Sequence, residues 1–155
     1  MNAGRRLRVL VVAPERHPLR QPHAGGLEAV VWNRVRWLRR RGHHVDLCAA
    51  EGSDFLGSSI DLHLPSPRWH HDRSVSDTEN PAGHRRRMSD AFARVRERIT
   101  DPLDRVDGVD NHSLHGDPIL WSRDAGVPVL TTLHTPPLPD MVQAARSLPA
   151  SAPHR

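Results

Sequence analysis

Three short polar clusters, each placed just past an apolar run, hold the residue types that could bind or transform a ligand. Gly25 and Gly26 open a helical pattern, Asn111, His112, Ser113 and His115 follow a run that ends near residue 111, and His134 and Thr135 follow the run over 127–133. A glycine pair ahead of a helix either serves a turn that needs positive φ or exposes backbone N–H groups at the positive end of the helix dipole. The second use suits a phosphate. Glu28 favours the same end of the dipole and can also reach a ligand hydroxyl. An imidazole closing a buried strand, as His134 does, either bonds a neighbouring carbonyl at the core's edge or offers a hydrogen bond to a sugar or a phosphate. His112 and His115 stand three apart beside Asp110, but ligation takes three or four converging groups, so no metal site is read here. Ser113 lacks the G-x-S-x-G elbow, which leaves hydrolase chemistry unsupported.

These clusters need elements to hold them. Residues 7–13 are a β-branched run with no charge beyond Arg8, the pattern of a strand buried on both faces. Eleven residues, 14–24, separate it from the glycine pair, so neither the dinucleotide fingerprint nor a P-loop fits. Leu27, Val30, Val31, Val35 and Leu38 recur at helical spacing over 27–41, with Trp32 and Trp37 flanking the stripe. Arginines fill the last turn and Gly42 stands at the C′ position. The remaining pattern predicts strands at 43–50, 60–64, 106–111 and 127–133, helices at 85–99 and 118–125, and one helical turn near 141–145. The polar stretch 66–80 reads as an excursion and the Pro-rich 136–155 as a poorly ordered tail, leaving one domain over 1–135. Strands alternating with helices argue a doubly wound, mostly parallel α/β sheet, truncated after its fifth strand. In such sheets ligands sit beyond the carboxyl ends of the strands, so the three clusters should share one rim.

Composition narrows the partners. All 22 basic residues of the 155 are arginines, yet the net charge is only +4, too little to imply nucleic-acid binding. The basic face of the first helix, Arg34, Arg36, Arg39 and Arg40, reads as solvated. The lone cysteine, Cys48, rules out an internal disulfide and reads as an inert core thiol. No apolar run is long enough to span a bilayer and no cleavable leader is visible. A cytoplasmic location is expected, with room for peripheral membrane contact.

The segment "RVLVVAPERHPLRQPHAGGLEAVVWNRVRWLRRRGHHVDLCAAEGSD", followed by "DNHSLHG" and "GVPVLTTLHTPP", resembles the N-terminal domain of family 4 glycosyltransferases, which have the two-domain GT-B architecture. The resemblance implies retaining transfer of a hexosyl group from a nucleotide-diphosphate sugar to a sugar or lipid acceptor, with no cofactor and no metal. It implies that Gly25 and Gly26 face the donor pyrophosphate and that His134 is the catalytic histidine approaching the donor sugar. Glu28, Asn111 and His112 then line the acceptor side of the cleft. The family's donor-binding domain, with its paired Glu motif, is not among these 155 residues. The expectation is an acceptor-side half that is inactive alone and works with a C-terminal donor domain. The alternative is a non-enzymatic α/β ligand-binding module on the same scaffold.

Overall fold

The structure, a computed structural model, describes residues 5–69 and 79–154. Much of the excursion expected at 66–80 falls on 70–78, outside the described residues. Strands β1 (Arg8–Val12), β2 (His44–Ala50), β3 (His63–Leu64), β4 (Gly108–Asn111) and β5 (Val129–Thr131) form one sheet in the order β3-β2-β1-β4-β5. Every pairing is parallel: Val9 stands opposite Val45 and Gly108, and Val109 opposite Val129. Helices α1 (Gly26–Arg40), α2 (His84–Thr100), α3 (Asp117–Asp124) and α4 (Pro139–Arg146) complete it.

Alternation along the strands sorts the core into two layers. Val11 and Ala13 of the first strand and its extension, with Val45, Leu47 and Ala49 of β2, face one way and pack against Val31, Val35 and Leu38 of α1. Leu10, Val12 and Cys48 face the other way and meet Met88, Phe92 and Val95 of α2 and Trp121 of α3. Helices on both faces make the fold a doubly wound, Rossmann-like sheet, as expected. Cys48 is enclosed, and burial pushes its thiol far above the usual range, which matches an inert core residue.

Helix α1 stops as its sequence dictates. Gly42 adopts φ +85°, its N–H bonds the carbonyl of Arg39 at 2.9 Å, and the N–H of His43 bonds that of Leu38 at 3.2 Å. This paired closure satisfies carbonyls the helix leaves open, and positive φ is what a C′ glycine provides.

Several local expectations change. Residues 60–64 do not form a full strand: Ile60–Leu62 is a 3-10 turn closed by Leu62 N–H onto Ser59, and only His63 and Leu64 pair with β2. They meet Ala49 and Ala50, the last residues of β2, which leaves a parallel neighbour little to pair with. Val30 is 51 % exposed while Trp32 is buried, its indole N–H donating to Asp54 at 2.9 Å. The buried stripe of α1 is thus rotated by part of a turn from the predicted one. The arginine face is exposed at Arg36, Arg39 and Arg40, as expected, but it also makes contacts. Arg34 donates to Asp110, Arg36 lies over the ring of Trp32, and Arg39 donates to the carbonyls of Val45 and Phe55. Where one helical turn was expected near 141–145, α4 runs for eight residues. Met141 and Ala144 pack against Ile119 of α3, and residues 153–154 bridge to Val129 on the outer side of β5.

Candidate functional site

Because all five strands are parallel, the segments leaving β1, β4 and β5 emerge at one rim. Backbone bonds lock this rim together: His112 N–H donates to Val12 at 2.8 Å and Thr132 N–H to Asn111 at 2.9 Å.

The chain leaving β1 reaches the exposed Gly25–Gly26 bend. Gly25 caps α1 in extended backbone with no side-chain cap, and the N–H of Ala29 bonds its carbonyl at 3.2 Å. A side chain at Gly25 would meet Oε2 of the buried Glu28 at 2.9 Å, whereas one at Gly26 would meet nothing within 4 Å. A side chain at Gly25 would thus have to push the end of Glu28 aside, and Gly26 leaves the approach to the helix start open.

Alternation decides the roles around β4. Asn111 is fully enclosed. Its Oδ1 accepts from the N–H of Ser113 at 3.0 Å and from its hydroxyl at 2.7 Å, and its amide donates to Thr131 at 3.3 Å. It shapes the loop from within. Asp110 and His112, on the opposite face, turn toward α1. Arg34 Nε donates to Asp110 Oδ2 at 2.7 Å, and Asp110 Oδ1 lies 3.2 Å from His112 Nε2. His112 Nδ1 then meets His134 Nε2 at 2.9 Å, with the rings 31° from coplanar. Burial opposes charge on Asp110, but hydrogen bonding and the charges of His112 and Arg34 outweigh it and hold the carboxyl below its ordinary value. His134 is half-buried, and burial, with the nearby His112, lowers its pKa. Beside the pair runs a groove of about 580 Å³ lined by Val30, Arg34, Trp37, His112 and Thr132.

The structure therefore joins His112 to His134 directly and sets Gly25, Gly26 and Glu28 on the same rim by topology. It separates His112 from His115. The latter turns away toward Glu15, a residue that sequence reasoning passed over. Glu15 Oε1 sits 3.2 Å from His115 Nε2 and 3.3 Å from His84 Nε2, and all three side chains are buried. Burial works against charge on Glu15, yet the two histidines hold its carboxyl well below the usual range. Burial likewise opposes the proton on His115, but Glu15, aided by Asp140 and Asp117, raises its pKa. A carboxylate just beyond a buried strand and a proline is a weak hint in the sequence, and its partners lie 69 and 100 positions away. Among the described residues no group of three metal-ligating side chains converges on a point suited to a cation.

A parallel sheet covered by helices on both faces, with a glycine bend opening its first helix and a polar strand rim, defines a domain of the Rossmann-like type. The chain belongs to glycosyltransferase family 4: that family's model matches residues 24–154, from just before the glycine bend to the bridge on β5. No curated protein matches it. Among the described residues no helix is long and apolar enough to cross a membrane.

Proposed function

We propose that this domain is the acceptor-side half of a GT-B glycosyltransferase that moves a hexosyl group from a nucleotide-diphosphate sugar to a sugar or lipid acceptor, with retention. The observation that supports the reading is the shared rim: the segment leaving β1 leads to an exposed helix start suited to an anion, and the histidine pair lies just beyond the neighbouring β4 and β5. As the glycosidic bond to the nucleoside diphosphate breaks, negative charge grows on the leaving phosphate. Fixed N–H dipoles at Gly26 and the residues after it would stabilise that charge without reorganising. His134, open on one side, would bond a sugar hydroxyl. Glu28 and Asn111 would hold the mouth in shape from behind, and His112 would line its acceptor side.

The rim is one wall. The nucleotide end of a donor calls for a facing lobe, carried on the same polypeptide or on another. The 155 residues incubated with nucleotide sugars and acceptors should therefore give no turnover. Free acceptor sugars should raise the melting temperature, with no comparable shift from nucleotide sugars. Robust turnover by these residues alone would overturn the need for a second lobe, and absence of any sugar-dependent stabilisation would overturn the acceptor-side assignment.

A further inference from the structure

The histidine pair carries an inference about protons that the family does not supply. We propose that His112 is a positioning residue: together with Arg34 and Asp110 it dictates which ring nitrogen of His134 carries the proton, so that His134 presents a bare Nδ1 to the ligand. This rests on the reading above only for what Nδ1 would meet.

Two ring nitrogens 2.9 Å apart share one proton, since two lone pairs repel and two N–H groups collide. The protonation of the rings is therefore coupled, and whatever orients one orients both. The orienting group is Asp110. Arg34 keeps it ionised and occupies Oδ2 at 2.7 Å, leaving Oδ1 at 3.2 Å from His112 Nε2. Both of these atoms are buried, and neither has another aligned partner, so what acts between them is charge on dipole rather than an ideal hydrogen bond. Nε2 stands 3.2 Å from the negative oxygen, so a proton on it is off the hydrogen-bond line but close enough for attraction, whereas a lone pair there would be repelled in a site shielded from water. His112 therefore carries Nε2–H and accepts at Nδ1. His134 must donate from Nε2, which strips its Nδ1. A bare Nδ1 accepts a hydrogen from a hydroxyl and repels a phosphate oxygen. The histidine end of the rim thus selects hydroxyls, while the glycine bend is left to the phosphate.

The test uses ligand-free, 15N-labelled protein at about pH 8, where an ordinary imidazole is neutral. Long-range 1H–15N spectra should show Nε2–H on both rings, with a nitrogen–nitrogen coupling between His112 and His134 across the shared hydrogen. Asp110→Asn is the decisive variant. Arg34 will keep the carboxamide oxygen, so the Asn amino group will stand beside His112 Nε2, where its positive hydrogens favour a lone pair over a proton. Both rings should then reverse, and His134 should become mainly Nδ1-protonated. A folded Asp110→Asn protein whose His134 keeps its tautomer would overturn the proposal. So would the absence of coupling in the unmodified protein, which decides the matter if the variant does not fold. No ligand is used, so either failure is separable from failure of the sugar-binding reading.

Discussion

Two histidine–carboxylate clusters stand behind the same rim, and they have opposite characters. Around Glu15, two buried imidazoles converge on one carboxylate oxygen and solvent is excluded. Around His112, a carboxylate already held by Arg34 feeds a chain that ends on the half-buried His134. The first cluster ties together the segment after β1, the start of α2 and the loop after β4, with no side chain left to reach outward. The second ends at the surface. Similar residue types thus become a clamp in one place and a candidate ligand contact in the other. The difference is which cluster has an open end. Burial works against the proton on both rings: at His134 it lowers the pKa, with His112 adding to it, whereas at His115 the facing carboxylate of Glu15 outweighs it and raises the pKa.

That contrast can be broken at its strongest point first. Glu15→Ala leaves two buried histidines without their carboxylate, and the expected cost is about 3–5 kcal/mol in urea unfolding, with loss of fold under mild heating. Glu15→Gln separates charge from packing through pH. The folded pKa of Glu15 lies below its ordinary 4.5, so its stabilisation is present above that value and is lost as pH falls toward the folded value. His115 is shifted up from 6.5, so its stabilisation is complete below 6.5 and is lost as pH rises through its folded pKa. Stability of the unmodified protein should fall on both sides, and Glu15→Gln should flatten both limbs. An unchanged profile would sink the clamp.

His134→Ala should do the reverse: a stability change within about 1 kcal/mol together with about tenfold weaker acceptor binding, read by calorimetry. Equal binding in the variant would place the ligand elsewhere. At the glycine bend, Gly25→Ala forces the buried Glu28 carboxylate aside and should cost about 1 kcal/mol, whereas Gly26→Ala should stay within about 0.5 kcal/mol of the parent. Comparable losses at both would mean that Glu28 is not what demands a glycine. The smallest effect concerns pH and binding. Because His134 is held below 6.5, it is neutral at pH 7, so acceptor affinity should be flat from there upward and decline only in acid. A rise in affinity on acidification through pH 6 would assign the contact to a protonated ring.

Much of the sheet was legible in the chain because its signals are local. The uncharged run of β1, the helical stripe of α1 and the glycine that ends it are properties of a few consecutive residues. The pattern at 60–64 predicts a longer strand than the two residues that pair, because an alternating apolar pattern says nothing about how much of a neighbour is available. Spacing alone puts Trp32 on the flank of the stripe, because its burial depends on Asp54 and Phe55, which only the folded chain brings alongside it. At the site, the sequence offered His112 and His134 as separate candidates. Their contact, with the Arg34–Asp110 pair beside it, joins residues from α1, from β4 and from the segments that follow β4 and β5.

What the sequence alone determined is the parallel α/β sheet, the helix that opens on a diglycine, and the histidines that end up at the strand rim. Periodicity, capping and strand polarity act within one turn or one strand, so they can be read along the chain. Tertiary structure decided which histidine faces which carboxylate. It sealed Glu15 with His84 and His115 and left His134 open at the end of the Arg34–Asp110–His112 chain. Imidazole and carboxylate are acid, base, donor or acceptor according to distance, burial and neighbour, and those are set by side chains far apart in the chain that meet only when the sheet forms.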